Sequence, residues 1–410
     1  VALDGSDRWW RSAGATPRRV DALLRSAVAA AAECPLESVP PAEPRRVASA
    51  GGAQYSTALP LRLAGSLGVS ASGVAETAAA LLRGVARVDG ARVQRGGFVA
   101  LDVASEARAA MVHTAAADGA AFLGDYLGYL RGLGRLDVTE PDRAAPADER
   151  ASAAPLPPPS PLHGAATAEE ARRLAREDAR RRMRALAGHP GAEADGACIA
   201  VQPGDVSWRE PCIDSGGGDT PAGRLLAVIG EAGARVAFCR AAAERPRAGE
   251  ETGPGLPAVP TAEHPGAWAL GTRANPAFVL RYAHAHAVSS LRWAGEAQAA
   301  AATAAAPALA PVPLEEPAAA ALAGALYDGP LVLHAARRRS EPHMLVRYLE
   351  GVAAAYHEWR GSGGLAVEAA VESAGGGSAP ALGRMRLCAA AAGVLHAGLS
   401  LLGVPAPTRL

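Results

Sequence analysis

Asn275-Pro276-Ala277-Phe278-Val279-Leu280-Arg281-Tyr282-Ala283-His284-Ala285-His286 reads as the entry of a long helix carrying a Tyr, a His pair and an Arg. From residue 273 onward the pattern is almost wholly helical. Leu345, Leu349, Val352, Tyr356 and Trp359 fall at i, i+4, i+7, i+11 and i+14, one apolar helical stripe. Leu387, Ala391, Val394, Leu395, Gly398 and Leu402 give the last helix a broad buried face, with Arg386, His396 and Ser400 elsewhere. The Ala/Pro run at 297–313 reads as a surface loop or a frayed helix end.

Working outward, residues 15–103 read as a small α+β unit. Leu23, Leu24, Ala27 and Val28 recur at helical spacing, further helices are expected near 59–67 and 72–85, and the alternation at 98–103 after Gly96-Gly97 suggests a closing strand. Residues 104–134 look helical. The stretch 140–161 is rich in Pro, Ala and Asp and favours an extended linker, completing a segment 104–162. Thr167 and Glu170 have capping-box spacing ahead of a charged helix at 167–186. There Arg172, Arg173, Arg176, Arg180, Arg181, Arg182 and Arg184 are interleaved with Glu169, Glu170, Glu177 and Asp178, which predicts a self-neutralised surface helix. Residues 187–270 carry strand-like pieces at 197–201 and 225–229.

The chain has 410 residues, a soft prior for two or three domains. Half are apolar, yet aromatics are only 4%, so the core must pack small side chains on close helices. Basic and acidic residues balance at 41 each, which excludes a globally basic nucleic-acid binder but leaves room for a local patch. Every basic residue is Arg. A Walker-A lysine and a Schiff-base lysine are therefore both excluded. The five cysteines are far apart and odd in number, with neither metal-like pairs nor a disulfide framework. No apolar run reaches membrane length and the first residues show no secretory signal, so a reduced, cytoplasmic setting is expected. The histidines lack the paired acids or Cys spacing that metal or triad chemistry needs, and no cofactor is expected.

The opening stretch resembles the helix that opens the anticodon-binding domain of arginyl-tRNA synthetases, the DALR type. Leu314-Glu315-Glu316-Pro317 is similar to a helix start of that domain, and Arg337-Arg338-Arg339-Ser340-Glu341-Pro342-His343 with Tyr348-Leu349 and Ala355-Tyr356-His357 resembles another of its helices. The end, Leu402-Gly403-Val404-Pro405-Ala406-Pro407-Thr408-Arg409-Leu410, looks like the family's terminus. More loosely, Ala53-Gln54-Tyr55-Ser56-Thr57 and Arg95-Gly96-Gly97-Phe98-Val99 resemble its N-terminal additional domain.

The middle departs from the family. Leu162-His163-Gly164-Ala165 is the nearest approach to the His-x-Gly-His turn that would stabilise an adenylate phosphate, and it lacks the second His. No Lys-bearing loop can exist. Gly230-Glu231-Ala232-Gly233-Ala234-Arg235-Val236-Ala237-Phe238 resembles only the tail of a class I catalytic domain. The resemblance thus implies a mostly α protein of the actinobacterial type lacking the catalytic motifs. Its parts would be an additional-domain-like unit at 15–103, a reduced α/β remnant at 163–270 and a DALR-like helical domain at 271–410.

The function implied is non-catalytic binding of a tRNA, with arginine-accepting tRNA the natural candidate. A divergent arginine–tRNA ligase or tRNA-dependent transferase, and a protein-interaction scaffold that lost RNA binding, are the alternatives. DNA and membranes are not expected partners; a protein partner is compatible. Asn275, Phe278, Arg281, Tyr282 and His286 would meet the anticodon loop, whose unstacked bases are read by aromatic stacking and amide hydrogen bonds. His286 stands where the family carries Arg. Arg292, Arg337, Arg338, Arg339 and Arg347 would contact phosphates, with Arg281, His284 and Arg292 along one stripe. Gln54, Tyr55 and Phe98 would meet the tRNA elbow. His343 and His357 are expected to buttress helix packing, and Cys239 and Cys388 to lie in the core.

Overall fold

The computed structural model describes residues 14–47, 54–134, 156, 159–186, 219–301, 312–364 and 379–409. The lead-in with Trp9 and Trp10, Cys198, Cys212, the strand expected at 197–201 and most of the 140–161 linker lie outside them.

The N-terminal unit starts with α1 (Pro17–Ala31), in which Pro17 sits where a helix has no N–H bond to lose. A four-stranded antiparallel sheet follows, ordered β1-β2-β4-β3: β1 (Arg45–Val47), β2 (Gln54–Thr57), β3 (Val88–Gln94) and β4 (Phe98–Val103). The β3–β4 hairpin turns at Gly96 and Gly97, both at φ near +84°, where a side chain would be strained. Between β2 and β3 run α2 (Leu59–Leu67), closed by left-handed Gly68, and α3 (Ala71–Arg83), capped by the Ser70 hydroxyl accepting from Gly73 N. The expected helices and closing strand are all present. β1, β2 and β3 had no clear alternation to announce them.

The helices of 104–134 do not act as a spacer. α4 (Ser105–Ala117) and α5 (Gly119–Gly132) pack against the last helix, α11 (Ala379–Leu401). Asp118 caps α5 by accepting from Ala120 N and Ala121 N, each at 2.9 Å. The closeness comes from glycine: a Cβ on Gly119 would lie 2.2 Å from the Gly393 carbonyl carbon. One hydrophobic core therefore runs from Val20 and Leu24 through Phe122 and Leu127 to Leu345, Leu395 and Leu402.

The C-terminal bundle comprises α8 (Pro276–Ala301), α9 (Pro317–Arg339), α10 (Pro342–Trp359) and α11. α8 continues through 297–301, so that part of the Ala-rich run is helix. α9 is long and apolar enough by composition to cross a membrane, but Leu322, Leu326, Tyr327 and Leu333 are core residues packed on α10 and α5. The N-terminal unit docks on α9. The Tyr55 and Tyr327 rings pack at a tilt of 37° with centroids 4.3 Å apart, and Arg46 pairs with Asp328 at 2.8 Å.

Two expectations for the middle need correction. Residues 225–229 are not a strand; they belong to α7 (Pro221–Arg240), started by Thr220 capping Gly223 N at 3.0 Å and broken at Gly230. A short apolar run cannot by itself separate strand from buried helix.

The Arg-rich helix, α6 (Ala168–Leu186), is not a self-neutralised surface helix. Arg172, Arg176 and Arg182 are 3%, 1% and 6% exposed. Ala171, Ala175, Ala179, Met183 and Leu186 form its apolar stripe, and the arginines beside it turn inward onto carbonyls. Arg172 donates to Glu244 O at 2.6 Å, Arg176 to Ala241 O at 2.6 Å, and Arg182 to Ser400 O at 2.6 Å. Arg176 and Arg180 share the Glu244 carboxylate, and Arg180 above all holds it down to a pKa of about 2. Asp178 accepts from Arg235 at 3.1 Å and from Ser160 N at 2.6 Å. Arg173 does pair with Glu177 on the outside, as the i, i+4 rule expects.

Gly119→Ala would force α5 off α11. A loss of about 1–3 kcal/mol is expected from overpacking, read by urea unfolding, with Gly132→Ala, which meets open space, as the neutral control.

Candidate nucleic-acid interface

Asn275 sets where α8 begins. Its Oδ1 accepts from Ala277 N at 2.9 Å and Phe278 N at 3.4 Å, and its Nδ2 donates to Trp268 O at 2.8 Å and Leu270 O at 3.0 Å. Only 7% exposed and committed on both sides, the amide works on its own backbone rather than on a ligand. What it fixes is the direction of the face that follows.

On that face Phe278, Tyr282 and His286 stand four residues apart and half-buried. Phe278 and Tyr282 are near-parallel, with centroids 5.6 Å apart and an angle of 16°. His357 of α10 stacks on Tyr282 at 5.6 Å and 29°, and the Arg360 guanidinium lies 6.0 Å from the Tyr282 centroid. His286 Nδ1 and the Tyr356 hydroxyl are hydrogen-bonded at 2.8 Å. The result is a lane of rings along the α8–α10 seam, edged by Arg360 and by exposed Arg273. Burial, then Arg360 and His357, push the His286 imidazole down to a pKa of about 4. Burial, Arg360 and Arg273 also lower His357. At neutral pH both rings are therefore uncharged, a flat surface between two guanidinium groups. Such a surface suits stacking on splayed bases.

Three residues of this region were not singled out as site residues in the sequence. His357 buttresses packing as expected, but on the half-exposed lane. Arg360 follows the apolar stripe of α10, where nothing marks it. Trp293 is 65% exposed and lies seven residues beyond His286, which returns it to the same helical face. That spacing was readable.

Other expected site residues lie elsewhere. Arg281 and His284 are 8% and 1% exposed, so the Arg281–His284–Arg292 stripe does not face phosphate. His284 Nδ1 donates to Pro407 O at 2.8 Å and Arg292 donates to Thr408 O at 3.4 Å; together they hold the tail after α11. Arg347 is engaged with Glu350 at 3.3 Å and Thr252 O at 3.1 Å. Arg338 and Arg339 are exposed and Arg337 half-buried at the end of α9, where they complement the helix dipole. The length of α10, roughly 22 Å between Pro342 and His357, separates them from the lane. In the N-terminal unit, Tyr55 is inside, 1% exposed, which takes it away from any elbow contact. Gln54 opens β2, and Phe98 and Leu61, 39% and 38% exposed, flank Gly96 and Gly97 of the turn.

Among the described residues no group of His, Cys, Asp and Glu could hold a metal ion. Cys239 and Cys388 are fully buried, and burial raises their thiols to about 11 and about 12. His163 is exposed in a turn ahead of α6, between buried Leu162 and Ala165.

Residues 280–410 match the DALR anticodon binding domain. The arginine–tRNA ligase of Acidovorax ebreus is 38% identical over 138 residues, 33% of this chain and 22% of that protein. The arginine–tRNA ligase of Clavibacter sepedonicus is 36% identical over 141 residues, 34% of this chain and 24% of its own. The similarity thus spans less than a quarter of these relatives' length. The crystal structure of a putative arginyl-tRNA synthetase from Campylobacter jejuni overlays 46% of this chain and 35% of its own at 16% identity, with a TM-score of 0.33, too loosely to bear on the argument.

His284 is also held down to about 4, chiefly by burial, so the folded form keeps a neutral ring. Between pH 6.5 and 4 the unfolded chain binds more protons than the folded one, and stability falls as pH falls through that window. Chemical denaturation should show a loss on the order of 2 kcal/mol from this residue between pH 7 and pH 5. His284→Asn, which keeps a donor for Pro407, should flatten the slope.

Proposed function

With residues 280–410 forming a DALR anticodon-binding domain related to that of arginyl-tRNA synthetases, we propose that this chain is a non-catalytic tRNA-binding protein. The bundle grips the anticodon loop through the α8–α10 lane. The carrying observation is the lane itself: Phe278, Tyr282, His286 and His357 stay half-exposed between Arg273 and Arg360, whereas most other large apolar side chains among the described residues are buried. Stacking on such rings is worth about 1–3 kcal/mol per base. Phe98 and Leu61 offer a second, smaller apolar contact for the tRNA elbow, and Arg338 and Arg339 a phosphate contact beyond the far end of α10. The absence of aminoacylation is supported by the sequence, which has no lysine and no His-x-Gly-His turn. The arginine-accepting tRNA is the first candidate, and a cytoplasmic setting goes with it.

Polarisation titrations of the full chain with anticodon stem-loops test the reading. The expected result is tighter binding than to a random RNA of equal length, weakened about 5- to 100-fold by Tyr282→Leu with the melting curve retained. A shallow salt dependence is also expected, because few guanidinium groups face outward near the lane. Equal affinity for the random RNA would sink the proposal, and ATP–pyrophosphate exchange with arginine would sink its non-catalytic half.

A further inference from the structure

Trp293 is 65% exposed, more than any other large apolar side chain among the described residues. It belongs to α8, and helical geometry sets where it stands. At about 100° per residue, it lies roughly 20° around the axis from both Tyr282 and His286, and about 10 Å further along than His286. The rings of the lane follow one another at 5.6 Å, from Phe278 to Tyr282, and at 6.0 Å, from Tyr282 to His286. Between His286 and Trp293, the side chains that come round to that side are Ser289 and Ser290. Ser289 is buried, and the Ser290 hydroxyl donates back to His286 O at 2.9 Å. The helix surface is therefore low there, with a ring rooted at each end.

A singly scattered apolar side chain needs no explanation, but Trp293 is not scattered: it continues the line of the lane. A protein partner would ask for a contiguous apolar patch around it. Its neighbours on that side are serines instead, so what projects is one flat ring among polar groups. That suits a planar ligand, and an indole face accepts any base. A step of about 10 Å leaves room beside such a ring for stacked bases, which repeat at about 3.4 Å. We infer that Trp293 is a second stacking platform, holding an unpaired base of the bound loop beyond the one that meets Tyr282. This rests on the anticodon-loop reading above. It adds that the RNA must be open over more than the lane itself, with a second splayed base on the far side of His286.

The test is a thermodynamic cycle on the full-length protein. Wild type, Trp293→Tyr, Trp293→Leu and Tyr282→Leu are titrated with an anticodon stem-loop, and with versions of it carrying an abasic site at each loop position in turn. Trp293→Leu should weaken the intact stem-loop about 5- to 100-fold with its melting curve retained, and Trp293→Tyr should keep most of the affinity. One abasic site should cost wild type a similar factor and cost Trp293→Leu nothing further. That site should differ from the one silenced in Tyr282→Leu. Acrylamide should quench the Trp293 emission, read as the difference between wild type and Trp293→Tyr, and the stem-loop should protect it. Unchanged affinity in Trp293→Leu, with Tyr282→Leu weakened, would overturn this inference and leave the lane standing. A loss in Trp293→Leu that no single abasic site accounts for would overturn it too, as would an indole already shielded from acrylamide in the free protein. A wild type that binds no stem-loop better than a random RNA would instead bring down the anticodon-loop reading, and this inference with it.

Discussion

The seam between α8 and α10 is the contact on which the rest of the C-terminal half depends. Tyr356 and Trp359 bury one side of α10 completely, and the Tyr356 hydroxyl reaches back to His286 on α8. That bond fixes how the two helices face each other. It leaves Tyr282 under His357 and Arg360, and leaves Phe278 one turn away. Asn275 fixes where the helix starts, and His284, on the opposite side, ties the helix to the tail at Pro407. Alternate faces of α8 thus do different work, one holding the bundle and one meeting solvent. The segregation follows from helical period, since His284 and His286 lie about 200° apart around the axis.

Elsewhere the molecule is held by arginine in place of lysine. A guanidinium carries five donors in a plane and is weakly hydrated, so it can be buried where carbonyls converge. α6 uses this repeatedly. Arg172, Arg176 and Arg182 fasten α6 to the segment after α7 and to the end of α11, while Arg235 of α7 meets Asp178. The same arginines are thereby withdrawn from RNA. A basic count along the sequence overstates the charge available to a ligand.

Much of the architecture was legible because its signals are periodic and local. The apolar stripe from Leu345 to Trp359, the capping residues before α6 and the glycine pair before β4 each announce their element. Legibility failed where chemistry depends on a distant partner. The inward turn of Arg176 needs the carbonyl of Ala241, and the burial of Tyr55 needs Tyr327, both far away in sequence. Asn275 and His284 were read as ligand-facing because polar residues in a recognised helix invite that reading; each is occupied by backbone of its own chain. Of the proposed lane, Phe278, Tyr282 and His286 stood in the sequence as candidates; Arg360 did not, since its place beside Tyr282 arises only when α10 crosses α8.

The most direct measurement is photocrosslinking of an anticodon stem-loop carrying 4-thiouridine in its loop to the full-length protein, with the crosslinked peptides mapped by mass spectrometry. Crosslinks within Phe278–His286 and His357–Arg360 are the predicted result. Crosslinks confined to Arg337–Arg339 or to the N-terminal sheet, with the lane untouched, would contradict the account.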